Sequence, residues 1–237
     1  MFYNDLFNRV SGKRIREFSV CKEAYRLTVD LLDKHVKLHS SLNSHYSQYV
    51  IYDGLLYLSM KNGYAQSAMD DLRYLYGVDA PSGTEFLYRL KKLKLDEVLR
   101  GFTEANDELL SSAARMGAFS KPMVCAADYT KVAYYGAFNP RVVRSKHKDG
   151  TTLFYEYASI SVVENGRRVC VYSRPITLLD IKSDVLRELI EETKRRGINI
   201  KTLLLDRAFF TVGCINLLKE LGTQFIMPCV CNKRIKE

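Results

Sequence analysis

The sequence predicts an α/β protein in which an all-α N-terminal region precedes a mixed sheet. Three observations carry this. Up to about residue 115, apolar residues recur at helical spacing. After Gly117 the pattern changes to short apolar runs that alternate with amphipathic helices, the order of a sheet with helical crossovers. Within that second half, Asn165-Gly166 lies between two strand-like runs, the strongest short-range signal of a two-residue hairpin. Antiparallel pairs are therefore expected beside parallel ones.

Residues 18–39 read as a first helix, 46–60 as a second and 65–76 as a third, stopped by Gly77. A short turn, Asp79-Ala80-Pro81-Ser82, then leads into Ser82-x-x-Glu85. This is the capping-box pattern, and it predicts a fourth helix with Phe86, Leu87 and Leu90 on its inner side. Residues 95–115 form a fifth, with apolar positions at 95, 98, 99, 102, 105, 109 and 110. Helix, turn and capped helix is the order of helix-turn-helix DNA readers. The second helix of that pair carries Arg89, Lys91 and Lys92. A packing pair with a solvated basic face is the plainer alternative.

Beyond Pro122, Met-Val-Cys-Ala-Ala is a short apolar strand that ends in Asp128. A loop follows with Gly136, Pro140 and the basic residues Arg141, Arg144, Lys146, His147 and Lys148. Residues 153–163 and 168–173 are the two hairpin strands, the second ended by Pro175. Residues 180–196 form an amphipathic helix with Val185, Leu186, Leu189 and Ile190 on one face and Gly197 at its end. Residues 200–205 are an apolar strand ending in Asp206. Thr211 caps a helix with Val212, Ile215, Leu218 and Leu221 inward, and 224–227 are a last strand. The order is β-β-β-α-β-α-β.

The chain carries 36 Lys and Arg against 27 Asp and Glu, a formal charge of +9, which favours a polyanionic partner such as nucleic acid. Apolar residues make up 47%, which argues against disorder. The early stretch 49–60 is broken by Asp53 and Gly54 and is too short to span a bilayer. Six scattered cysteines form no CxxC pair, and Cys229-x-Cys231 has no second pair or His beside it for zinc. Cys125, Cys170 and Cys214 lie in apolar segments and read as small hydrophobes. A reducing cytoplasm, with no membrane association, is the expected setting.

Two carboxylates stand out by position. Asp128 ends one strand, and Asp206 ends another that follows a helix. Ligands gather at the carboxyl ends of parallel strands. If these strands are parallel neighbours, their carboxylates reach one ion, and such hard oxygen ligands suit Mg²⁺ or Mn²⁺. Either Asp alone is as readily a turn or cap residue. Arg207 has a phosphate contact, a bracing role on Asp206 or a plain surface position open to it.

The segment Val124-Cys-Ala-Ala-Asp128-Tyr-Thr130-Lys-Val-Ala-Tyr134-Tyr135-Gly136 resembles the first-aspartate motif of insertion-sequence DDE transposases. Leu203-Leu-Leu-Asp206-Arg207-Ala-Phe-Phe210, followed by Ile215, Leu218 and Phe225-Ile-Met-Pro228, resembles their second-aspartate motif. Gly150-Thr-Thr-Leu-Phe-Tyr155-Glu-Tyr157-Ala158 resembles the strand between them. The likeness covers roughly residues 120–230.

It implies an RNase H-like core over 119–237, preceded by a helical DNA-binding region over 1–118. It implies that Asp128 and Asp206 are catalytic and hold Mg²⁺ or Mn²⁺, and that the chain cleaves and transfers strands at transposon ends. The expected partners are double-stranded DNA, at those ends and in the target, and a second copy of the chain. DNA contacts are expected from Arg141, Arg144, Lys146, Lys148, Arg207, Arg89, Lys91 and Lys92. The family also needs a third carboxylate, a Glu on a helix well downstream. Glu237 is terminal, and Glu220 lies on the helix directly after Asp206. The expectation is a chain without its third ligand, as in a fragment or truncated copy. A non-catalytic DNA-binding remnant or regulator is the alternative function.

Overall fold

The computed structural model describes residues 13–38, 44–61, 63–164 and 167–229. The chain divides into two compact units, residues 1–105 and 106–237. The division falls inside a helix, upstream of the boundary expected after residue 118.

The first unit contains α1 (Lys13–His35), α2 (Gln48–Lys61), α3 (Ala65–Tyr74), α4 (Gly83–Lys91) and the start of α5 (Leu95–Arg115). Its core gathers Val29, Leu32, Ile51, Tyr52, Met69, Leu72 and Phe86. Gly54 lets α2 approach its neighbours closely: a Cβ there would stand 2.5 Å from Met69 Cε and 2.7 Å from Phe86 Cε2. Ser82 caps α4 by accepting from Glu85 N, as its sequence pattern predicts. The reciprocal half of the box is not formed, because the Glu85 carboxylate pairs with Arg89 at 3.0 Å. Phe86 is buried and Leu90 half-buried, but Leu87 is 46% exposed and faces outward.

The link between α3 and α4 is longer than a helix-turn-helix turn. Residues 75–82 run back along α3, held where Arg73 Nη2 donates to Ala80 O at 2.9 Å. They deliver Gly83 to the first turn of α3, where Gly83 N donates to Gln66 Oε1 at 3.0 Å. The two helix starts thus lie together. A helix-turn-helix instead joins the end of one helix to the start of the next through a turn of three or four residues.

The second unit is built on a six-stranded mixed sheet: β1 (Met123–Tyr134), β2 (Val143–Lys148), β3 (Thr151–Glu164), β4 (Arg167–Ile176), β5 (Ile200–Leu205) and β6 (Phe225–Ile226). Helix α6 (Lys182–Arg195) joins β4 to β5, and α7 (Val212–Glu220) joins β5 to β6. The order is β2-β3-β1-β5-β6, with β4 on the stretch of β3 that β2 leaves open. Strands β1 and β3 are antiparallel, while β5 runs parallel to both its neighbours, β1 and β6. The mixed α/β sheet predicted from sequence is therefore the fold found.

Alternation along the strands sends Cys125, Ala127, Ile160, Val162, Leu203 and Leu205 to one face. There they meet Val185, Leu186, Leu189 and Ile190 of α6 and Leu217 and Leu218 of α7. Each of those α6 side chains is buried, worth roughly 1.5–3 kcal/mol apiece. Gly197 and Gly222 close the two helices at positive φ, 76° and 60°.

Several local expectations need correction. The first strand does not end at Asp128 but runs six residues further, to Tyr134. The basic segment is not a loop beyond its first residues: 143–148 is strand β2, with Val143 buried opposite Phe154. The sheet thus has one strand more than expected. Pro175 does not end β4 but pairs with Tyr157 inside it, as an edge strand permits. Val212 does not face inward; it is 77% exposed. Cys170 is exposed, on the face opposite the core. The hairpin pairs Glu164 with Arg167, and the Asn165-Gly166 turn lies outside the described residues, as do Cys231 and Glu237.

Candidate active site on the open face of the sheet

Strands β1 and β5 run parallel with Cys125 opposite Leu203, Ala126 opposite Leu204 and Ala127 opposite Leu205. One residue further along each strand stand Asp128 and Asp206. Neighbouring strands are about 4.8 Å apart, so the two backbones are adjacent at this level. Ala127 and Leu205 point into the core, so the residues after them point to the opposite face. Both Asp128 and Asp206 are exposed there.

Each carboxylate is oriented by its own downstream backbone. Asp128 Oδ1 accepts from Tyr129 N at 2.8 Å. Asp206 Oδ1 accepts from Ala208 N at 2.9 Å, capping the short 3₁₀ turn Arg207–Phe209. Each keeps its second oxygen free of protein donors among the described residues. Lys182, the first residue of α6, donates its ammonium to Ala208 O at 2.7 Å.

Two exposed, adjacent carboxylates with a free oxygen each fit a hard divalent cation such as Mg²⁺ or Mn²⁺. Among the described residues, no three His, Cys, Asp or Glu side chains come together to hold a metal. Glu156 does not join the pair. It is three positions from Ser159, the partner of Asp128, and therefore on the other face, where it pairs with Lys131 at 3.5 Å. Glu220 is also elsewhere, paired with Arg187 at 3.2 Å.

Around Asp128 the open face carries small polar side chains: Ser159 lies opposite it on β3, and Ser173 lies opposite Ser159 on β4. On the core face just behind the carboxylates, the Tyr129 and Phe209 rings stack at 4.7 Å with 23° between their planes. Burial pushes the Tyr129 phenol well up from its ordinary value, and charge on Cys214, Glu156, Asp206 and Asp180 adds to this.

The chain has a partial structural likeness to solved DNA transposases, in each case at a TM-score below 0.5. It resembles piggyBac transposase in a synaptic complex with hairpin DNA (TM-score 0.46, 11% identity, 84% of this chain and 46% of that one). It also resembles the Drosophila P element transposase strand transfer complex (TM-score 0.41, 18% identity, 86% and 42%). The Mos1 mariner paired end complex with Mn is a third (TM-score 0.30, 12% identity, 94% and 69%). The chain thus spans less than half the length of the first two. Neither a protein-family model nor a curated protein matches the sequence.

The basic residues singled out from sequence separate into two groups. Arg144, Lys146 and Lys148 are exposed on edge strand β2, and Arg141 is exposed just before it. Arg144 lies over the Phe138 ring at 5.2 Å. Arg207 is exposed and makes no bond to Asp206 among the described residues, so it does not brace that carboxylate. Lys91, the last residue of α4, and Lys92, its C-cap, are exposed, with Lys92 over the Tyr88 ring at 4.2 Å.

Arg89 differs from these. Its side chain is 13% exposed, and its guanidinium bonds Glu85, Ser44 Oγ and Tyr46 O. It ties α4 to the segment before α2 and has little surface left for DNA. Sequence reasoning missed the Tyr129–Phe209 stack and the Lys182 contact. Both rings stand in the aspartate motifs, but only the three-dimensional turn after Asp206 brings them together.

Proposed function

We propose that this chain is a transposase of the DDE type. On this reading it holds Mg²⁺ or Mn²⁺ between Asp128 and Asp206 and acts on DNA phosphodiesters at transposon ends and in the target. One observation carries the proposal: the parallel register of β1 and β5, which makes the two aspartates neighbours on the exposed sheet face. The match of both surrounding segments to the DDE aspartate motifs supports it.

A bound divalent cation supplies the positive charge that activates a water and stabilises a leaving 3′ oxygen. The chain's own residues supply the rest. Asp128 and Asp206 present one free oxygen each, held in orientation by Tyr129 N and Ala208 N. The exposed cations of β2, with Arg141 and Arg207, lie in the same unit and suit a phosphate backbone. Lys91 and Lys92 at the end of α4 offer a second contact. The reading extends to a homodimer and to a cytoplasmic protein.

A second reading, a DNA-binding chain without catalysis, is favoured by the fact that no third His, Cys, Asp or Glu joins Asp128 and Asp206 in a metal-holding group among the described residues. Nicking of supercoiled plasmid in Mn²⁺, measured beside salt-dependent plasmid binding, separates the two. Catalysis predicts nicking by the wild type that Asp128→Asn and Asp206→Asn abolish while binding remains. Binding without nicking by the wild type favours the second reading. Nicking that survives both substitutions, or no DNA binding at all, refutes the proposal.

A further inference from the structure

We infer that the Tyr129–Phe209 ring stack is the positioning device of the two-aspartate site, setting the separation of the carboxylates from behind the sheet. The inference rests on the metal-holding reading of Asp128 and Asp206 and adds residues to it that touch no metal.

Tyr129 follows Asp128 directly and points to the opposite face, so its ring position is tied to the backbone that carries the carboxylate. The Tyr129 amide is also the donor that orients Asp128. Phe209 closes the 3₁₀ turn that Asp206 caps, and Phe209 N donates back to Asp206 O at 3.3 Å. The Phe209 ring is fully buried. Stacking the two rings therefore links the segment after one aspartate to the segment after the other.

The backbone ladder between these strands ends at Ala127 and Leu205, one residue short of the carboxylates. Beyond that point no ladder bond fixes the spacing of β1 and the turn. The stack is a direct contact that does so, aided by Lys182 Nζ, which ties Ala208 O to the start of α6. Aromatic pairs of this kind contribute roughly 0.5–1.5 kcal/mol beyond their burial and hold a defined geometry. Two carboxylates that share an ion gain only if they are held at the right distance before it binds.

The experiment measures Mn²⁺ affinity of the full chain by isothermal titration and by the loss of the free-ion electron spin resonance signal. The variants are Tyr129→Leu, Phe209→Leu, the ring-preserving Tyr129→Phe, and Leu189→Ala as a core control on α6. Thermal unfolding checks that each folds. Tyr129→Leu and Phe209→Leu are expected to weaken Mn²⁺ binding about tenfold or more, the usual cost of losing a group that orients a metal ligand. Tyr129→Phe is expected to restore wild-type affinity, and Leu189→Ala to lower the melting temperature while leaving affinity unchanged.

Either Leu variant binding as tightly as the wild type overturns the inference, and so does an equal loss of affinity in Leu189→Ala. If one Leu variant fails to fold, the other decides. A wild type that binds Mn²⁺ no better than Asp128→Asn refutes instead the site itself.

Discussion

Replacing Asp107 by Ala tests how, within the second unit, the last turns of α5 are tied to the end of α6. Arg196 ends α6 with a side chain only 3% exposed. Its Nε donates to Asp107 Oδ1 at 2.7 Å, its Nη1 to Glu192 Oε2 at 2.7 Å and to Glu192 O at 2.9 Å. The guanidinium also lies over the Tyr172 ring at 5.0 Å, and its Nη2 has no hydrogen-bond partner among the described residues. Removing one partner of a buried pair costs about 3–5 kcal/mol, because a charge is left uncompensated.

Here the loss is smaller, since Glu192 remains and the Asp107 side chain is 30% exposed. About 2 kcal/mol is expected, a drop of about 4–8 °C in the melting temperature of a unit this size. The assay is differential scanning calorimetry, reading the transition that Leu189→Ala also shifts. The double variant Asp107→Ala/Arg196→Met should recover most of the loss, because the orphaned charge goes with its partner. A shift under about 1 °C for Asp107→Ala, or a double variant whose loss equals the sum of the singles, would refute the reasoning.

Three further outcomes follow from other parts of the structure. The hydrogen bond from Arg195, then that from Arg196, holds the Glu192 carboxyl below its ordinary value of 4.5. Its folded pKa is depressed, so its stabilisation is complete above pH 4.5 and fades as pH falls through the lower folded value; Glu192→Gln should flatten that acid limb in a melting-temperature series against pH. Gly54→Ala should destabilise the helical unit by about 1 kcal/mol in urea unfolding, overpacking against Met69 and Phe86 outweighing the gain in helix propensity. Replacing Arg144, Lys146 and Lys148 together by Ala should lower the slope of log affinity for duplex DNA against log salt by about 2–3, and an unchanged slope would remove β2 from the DNA interface.

The parts of the fold legible in the sequence are those where local chemistry and burial agree. The amphipathic α6, the Gly197 and Gly222 stops and the Thr211 cap all appear where the residues place them. So does the β1–α6–β5 order that makes Asp128 and Asp206 neighbours. The β2 strand was hidden because an edge strand buries only one residue here, Val143, and can otherwise be wholly polar. Lysines on such an edge discourage pairing with another sheet, which also makes the segment read as a loop.

Asp128 read as a strand end because a polar residue interrupts the apolar run. The strand continues because β3 is long enough to pair with it as far as Tyr134. On α4, Leu87 read as inward because spacing alone does not fix which neighbour lies behind a helix. Gly83 against Gln66 sets that rotation, and the sequence does not announce the contact. The Arg89 interaction with Tyr46 O likewise spans 43 residues, beyond any local pattern.

The most direct measurement is an anomalous difference map from crystals soaked in Mn²⁺. A peak about 2 Å from an oxygen of both Asp128 and Asp206 is the expected result. A map with no peak on the exposed face of β1 and β5, or with a peak on one carboxylate while the other turns away, contradicts the shared site.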